Sequence, residues 1–118
     1  MDLIKVSKLI ASNKFLIETT FQLEKDFLNI GVNFDIKKPV QDYKQLFSFA
    51  STLVNTLNEQ DPKRVLNLLY RIDLPEEKVQ SEMQISALTF SELLAELIVK
   101  RELQKVIMKN YYSNPENQ

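Results

Sequence analysis

At 118 residues, with 44% hydrophobic and 26% charged side chains, the chain has the size and composition of one globular domain and is too apolar for a disordered one. Fifteen basic and sixteen acidic side chains leave a net charge of −1, which excludes a global field drawing the protein to nucleic acid or an anionic membrane. There is no cysteine, no histidine and only one glycine, Gly31. These absences exclude disulfides, thiolate or imidazole catalysis, zinc sites built on those ligands, and glycine-rich phosphate loops.

The N-terminal stretch MDLIKVSKLIASNKF has an acidic second residue and no apolar core long enough for a signal peptide, and no uncharged apolar run spans a bilayer. The expectation is a soluble, cytoplasmic protein. Leu9, Leu16, Leu23 and Ile30 recur every seven residues, with Val6, Thr20 and Phe27 offset by three or four. That periodicity predicts a helix over 3–30. Ile10, Ile17, Phe21 and Leu28 widen its apolar arc on one flank. Gly31 follows where a left-handed C-terminal cap is wanted, with Val32 to supply the accompanying apolar contact. Ser12 and Asn13 favour caps over helix interiors, so a break there stays open.

After VNFDIKKP, the residues Tyr43, Leu46, Phe47, Ala50, Leu53, Val54 and Leu57 follow i, i+3, i+4, i+7 spacing and predict a helix over 40–59. Asp61 and Pro62 read as an N-cap and a proline at the first helical position. A helix over 62–72 follows, with Val65, Leu68, Leu69 and Ile72 inward. In YRID, Arg71 falls about a quarter-turn off that inward arc and complements the helix C-terminus. Asp73, three residues before Glu76, reads as an acidic cap opening a short helix over 75–84. Thr89, with Glu92 at the third helical position and leucines placed for a hydrophobic staple, opens a last helix over 89–112. The tail from 113 to 118 is polar and reads as frayed. The sum is an all-α, single-domain bundle covering 1–118, with four main helices plus one short helix and no linker or repeat.

Three constellations bear on function. Glu92 and Glu96 sit one turn apart and could present oxygen ligands to a hard cation. However, no second inward-facing acidic pair completes a site, Glu18 and Glu24 stand separately, and Glu76 and Glu77 open a helix where acids are expected anyway. Without histidine, a di-iron bundle site is excluded. No catalytic, cofactor-binding or metal-ligating residue is therefore assigned, and no cofactor is expected.

The second constellation is basic. Lys100, Arg101, Lys105 and Lys109 precede Tyr111 and Tyr112, a pattern able to grip a nucleic-acid backbone and stack on bases. Bases at a helix end also complement its dipole, Glu96 and Lys100 form an i, i+4 pair, and a solvated face is the plainer reading.

The third is the last helix itself. Phe90, Leu93, Leu94, Leu97 and Met108 line one side, while Val99, Leu103, Val106 and Ile107 line the other, at about 100° per residue. Two apolar sides mean that the helix is central, or that Val99, Leu103, Val106 and Ile107 bind another chain. Arg101 and Gln104 interrupt the first stripe, so either it ends there or these side chains pair with buried partners.

The spans LLYRIDLPEEKV and ELLAELIVKRELQKVIM resemble short all-helical bacterial proteins of no assigned function. The resemblance covers the C-terminal half, implies a compact helical fold, and transfers no functional residues. The leading expectation is a non-enzymatic helical protein–protein interaction module with a protein partner, a homodimer among the options. The alternatives are a small carboxylate-based, metal-dependent hydrolase and a nucleic-acid binder acting through the final basic helix.

Overall fold

The computed structural model of the protein describes residues 13–34 and 40–113. Among these residues the secondary structure is entirely helical: α1 (Asn13–Asn29), α2 (Tyr43–Gln60), α3 (Pro62–Arg71), α4 (Glu76–Ile85) and α5 (Phe90–Ser113). The all-α expectation holds, and each helix boundary from α2 onward falls within three residues of the expected one. The part of the first helix predicted over 3–12, including Ser12 of the candidate break, lies outside the described residues, as does 114–118.

The ends of the helices show how local chemistry sets the boundaries. Asp42 caps α2, its carboxylate accepting from the Gln45 N–H at 2.8 Å, and this moves the helix start past the expected residue 40. Asp61 ends α2 and begins α3, with Pro62 in the first turn. Its carboxylate turns away from the backbone and pairs with Arg64 at 3.2 Å. At α5 the Thr89 hydroxyl accepts from the Glu92 N–H at 3.3 Å and donates to the Glu92 carboxylate at 2.8 Å. Leu88 and Leu93, the staple residues, both join the core.

Two helices end in the same Schellman geometry, in which backbone N–H groups beyond the helix reach back to its last carbonyls. At α1, Val32 N donates to Phe27 O at 2.9 Å and Gly31 N to Leu28 O at 3.0 Å, with Gly31 at φ 84°. At α3, Leu74 N donates to Leu69 O at 2.9 Å and Asp73 N to Tyr70 O at 3.2 Å, with Asp73 at φ 61°. Asp73 is thus the left-handed residue ending α3, and Pro75 occupies the N-cap position of α4. The chain's one glycine is used at the first of these turns, and aspartate tolerates the left-handed region better than most residues.

Packing centres on α5, which lies against α1, α2 and α4, while α3 packs on α2 and α1. The innermost side chains are Leu23 and Phe27 of α1, Leu46, Ala50 and Val54 of α2, Leu68 of α3 with Ile72 just after it, and Leu94, Ala95 and Ile98 of α5. Each fully buried large aliphatic residue contributes about 1.5–3 kcal/mol relative to exposure. Phe27 extends the core into the α1–α2 connection, its ring meeting Phe34 edge-on at 5.4 Å, and Phe34 in turn meets Phe49 of α2 at 5.2 Å. The two apolar sides of α5 are what its central position requires.

Candidate functional site

The most unusual chemistry lies where α1, α3 and α5 converge. Asp26 of α1 sits one helical turn beyond Leu23, on the same inward arc, and is 2% exposed. Its Oδ1 accepts from Arg71 Nε at 3.2 Å, and its Oδ2 accepts from Lys105 Nζ and from Gln22 Nε2, both at 3.0 Å. Glu102 of α5, one turn before Lys105, is 0% exposed. Lys105 Nζ lies 3.9 Å from Glu102 Oε1. One ammonium thus faces two buried carboxyl groups.

The two acids are driven to opposite protonation states. Burial pushes the Glu102 carboxyl up, the neighbouring Asp26 carboxylate pushes it further, and Lys105 and Arg101 only partly offset this, so that it is raised to about 9. Burial also acts to raise Asp26, but the neighbouring neutral Glu102, hydrogen bonds from Gln22 and Lys105, and the Lys105 charge outweigh it and hold Asp26 below its usual range. At neutral pH the pair is one carboxylate and one carboxylic acid. Neither Glu102 oxygen has a hydrogen-bond partner among the described residues, which disfavours its charged form further. Arg71 and Lys105, each partly exposed, supply the cations.

This cluster ties three helices together. Asp26, Arg71, Lys105 and Gln22 are engaged with one another, and neither Asp26 nor Glu102 lines the grooves described around α1, α3 and α5. Nothing in the sequence reading singled out Asp26 or Glu102. The available signal was position: Glu102 follows Ile98 and Val99 by four and three residues and precedes Val106 by four, so three apolar residues share its face. Arg71, read as a helix-end cation, reaches across to Asp26, 45 residues earlier in the chain.

The predicted basic run does not form a patch of free cations. Lys100 pairs with Glu96 at 2.6 Å, as its i, i+4 spacing anticipates. Arg101 Nε donates to Ile72 O at 2.8 Å, capping the end of α3, with its Nη2 at 3.9 Å from Asp73. Lys105 turns to Asp26, and Lys109 is exposed beside a groove between α1 and α5. Of the two residues interrupting the first apolar stripe, Arg101 finds a partner and Gln104 is exposed. Glu92 is engaged at the cap of α5, Glu96 is engaged with Lys100, and no group of three or more Asp, Glu, His or Cys among the described residues is placed to hold a metal ion.

Of the second stripe of α5, Val99, Val106 and Ile107 are buried within the single chain, and Leu103 is half-buried. The apolar surface left open is on α1. Ile17, Phe21 and Leu28, at i, i+4 and i+11, are 51, 63 and 60% exposed. They occupy one outer face, about 120° round the helix from the arc of Leu16, Leu23 and Phe27 that enters the core. Phe21 also borders the α1–α5 groove, a depression of about 470 Å³ flanked by Glu18, Lys25, Lys109 and Asn110. Across this groove Asn110 Nδ2 donates to Glu18 Oε2 at 2.7 Å. No described helix is long and apolar enough to cross a membrane. Comparison with models of protein families, with curated proteins and with solved structures found no match to this chain.

Proposed function

We propose that the protein is a non-enzymatic helical module that binds another protein through the outer face of α1, acting as a soluble protein of the cytoplasm. The observation that carries this reading is the row of Ile17, Phe21 and Leu28, three large apolar side chains on one face of one helix, each more than half exposed. Single exposed apolar residues are ordinary on a protein surface, but three large ones along one side of a helix make an amphipathic face suited to a partner. The basic run of α5 supports a nucleic-acid reading less well, because three of its four cations are engaged inside the chain. A carboxylate-metal hydrolase has less support still, since of the two buried acids Asp26 is already held by Arg71 and Lys105 and Glu102 keeps its proton.

The test is affinity capture from source cells with the wild-type chain, Phe21→Asp, Leu28→Asp and, as a control, Tyr70→Asp. Tyr70 is 90% exposed on α3, beside a depression that no residue of α1 lines. A partner retained by wild type and Tyr70→Asp but lost by both α1 variants supports the reading. A partner indifferent to the α1 substitutions refutes it. Thermal unfolding titrated with magnesium or manganese tests the hydrolase alternative, because a specific site raises the midpoint by mass action.

A further inference from the structure

We infer that the partner on the α1 face is α1 of a second copy of this chain, packed antiparallel about a two-fold axis that passes near Phe21. The inference rests on the protein-binding reading of that face and adds an occupant and a register to it.

The pattern of the face is self-complementary. Reversing one α1 against another sets Ile17 opposite Leu28 of the second copy, and Leu28 opposite its Ile17. Phe21 then meets its own counterpart near the axis. At about 100° per residue, Glu18 and Lys25 lie together on one edge of the face. A two-fold axis perpendicular to antiparallel helices brings like edges together, so Glu18 faces Lys25 of the other copy, and this occurs twice. The midpoints of these pairings agree to within about 2 Å along the helix, at about 1.5 Å per residue. A parallel pairing in register separates Glu18 from the other copy's Lys25 by seven residues, roughly 10 Å, and forms neither ion pair.

The charged groups are placed for this contact. Lys25 is exposed, and the hydrogen bond from Asn110 engages only Oε2 of Glu18. Glu24 lies toward the opposite edge of the face, beside Ile17, and is half-buried. A helix of 17 residues is about 26 Å long. Two such helices side by side make a contact toward the small end of specific interfaces, so the dimer is concentration-dependent rather than obligate.

The experiment is sedimentation of the full chain over a wide concentration range, with circular dichroism to confirm that each variant is folded. The substituted side chains lie on the surface, so the helical spectrum should persist. Wild type should dimerise and Phe21→Asp should remain monomeric. Glu18→Lys and Lys25→Glu should each weaken association at least about tenfold, because each places two like-charge contacts where two opposite pairs stood. Mixing these two single variants should restore the dimer, since at both Glu18–Lys25 positions across the axis a base of one chain then faces an acid of the other. The double variant Glu18→Lys/Lys25→Glu should also dimerise. A wild type that stays monomeric at the highest concentration overturns the inference. So does a dimer unaffected by Phe21→Asp, or a mixture of single variants that fails to associate. A monomeric wild type that still captures a partner lost by Phe21→Asp removes the second copy and leaves the protein-binding reading standing.

Discussion

Replacing Glu102 by glutamine should stabilise the protein at neutral pH, and the gain should depend on pH in a defined way. The folded chain holds the Glu102 proton up to about pH 9, whereas the ordinary glutamate value is 4.5. Between those limits the folded state binds more protons than the unfolded state, so stability falls as pH rises, by about 1.4 kcal/mol per pH unit. The contribution is complete below the unfolded value and lost as pH climbs through the folded one. At pH 7 the native chain has lost roughly 3 kcal/mol relative to the acid end of that window, a large part of a typical domain's stability. Glutamine has no proton to bind, keeps the side chain's shape, and carries an N–H₂ group able to donate to a neighbouring carboxylate. Urea unfolding of both proteins at pH 5, 7 and 8.5, followed by far-ultraviolet circular dichroism, measures the difference directly. The variant should match wild type near pH 5 and exceed it by roughly 3 kcal/mol at pH 7 and by more at pH 8.5, with unchanged denaturant slopes. Two stability profiles running parallel across that range would show that Glu102 is ionised in the folded chain, and the account of the cluster would fail.

Asp26→Asn should destabilise by about 2 kcal/mol at pH 7, less than for a fully buried pair, because Arg71 and Lys105 can both turn to water. The same change removes the charge that helps hold Glu102 neutral, so the fall in stability, which starts at the same unfolded value, should level off at lower pH and be smaller, readable in the same titration. Gly31→Ala should lower stability by about 1 kcal/mol through left-handed backbone strain alone, because an added Cβ meets only the Arg64 side chain, at 3.9 Å. Asp73→Val should cost about 1–2 kcal/mol for the same reason, while Asp73→Gly should be neutral to slightly stabilising, both read as shifts in thermal midpoint. Leu94→Ala, at the centre of the core, should cost about 2–5 kcal/mol, and Ile17→Ala on the outer face of α1 no more than about 0.5 kcal/mol at monomer concentrations.

Much of the fold was legible because helix signals are local. Gly31, Pro62 and the Thr89–Glu92 pair each act within a few residues of themselves, and each does in the structure what its chemistry implies. Asp73 was misread because two local rules compete there. An aspartate three residues before a glutamate suits an N-cap, but the same residue also tolerates the left-handed turn that ends α3, and Arg101 from 28 positions away stabilises that ending by binding Ile72 O. The buried cluster was illegible for a related reason. Whether Asp26 meets Lys105 depends on how α1 is placed against α5, a separation of 79 residues that no local pattern encodes.

The same distinction explains the two doubly apolar helices. A helix with one apolar side declares which way it faces, whereas one with two declares only that both need cover. α5 meets that need inside the chain: α1, α2 and α4 lie against it, and Val99, Val106 and Ile107 are buried. Within the same bundle α1 reaches the core through Leu16, Leu23 and Phe27, and its Ile17, Phe21 and Leu28 remain outside. The difference lies in position. Only one helix of a small bundle can be surrounded, and the longest described helix, α5 with 24 residues, occupies that place. A charge tests the two assignments in opposite ways. On α5, Val99→Glu sets an unpaired acid among buried side chains and should unfold the domain or cost several kcal/mol. On α1, Phe21→Glu leaves its acid in water and should alter association while the helical spectrum and thermal midpoint of the monomer stay where they were. If Val99→Glu folds normally and Phe21→Glu does not, then α1 is the interior helix, and the outer face assigned to it here is part of the core.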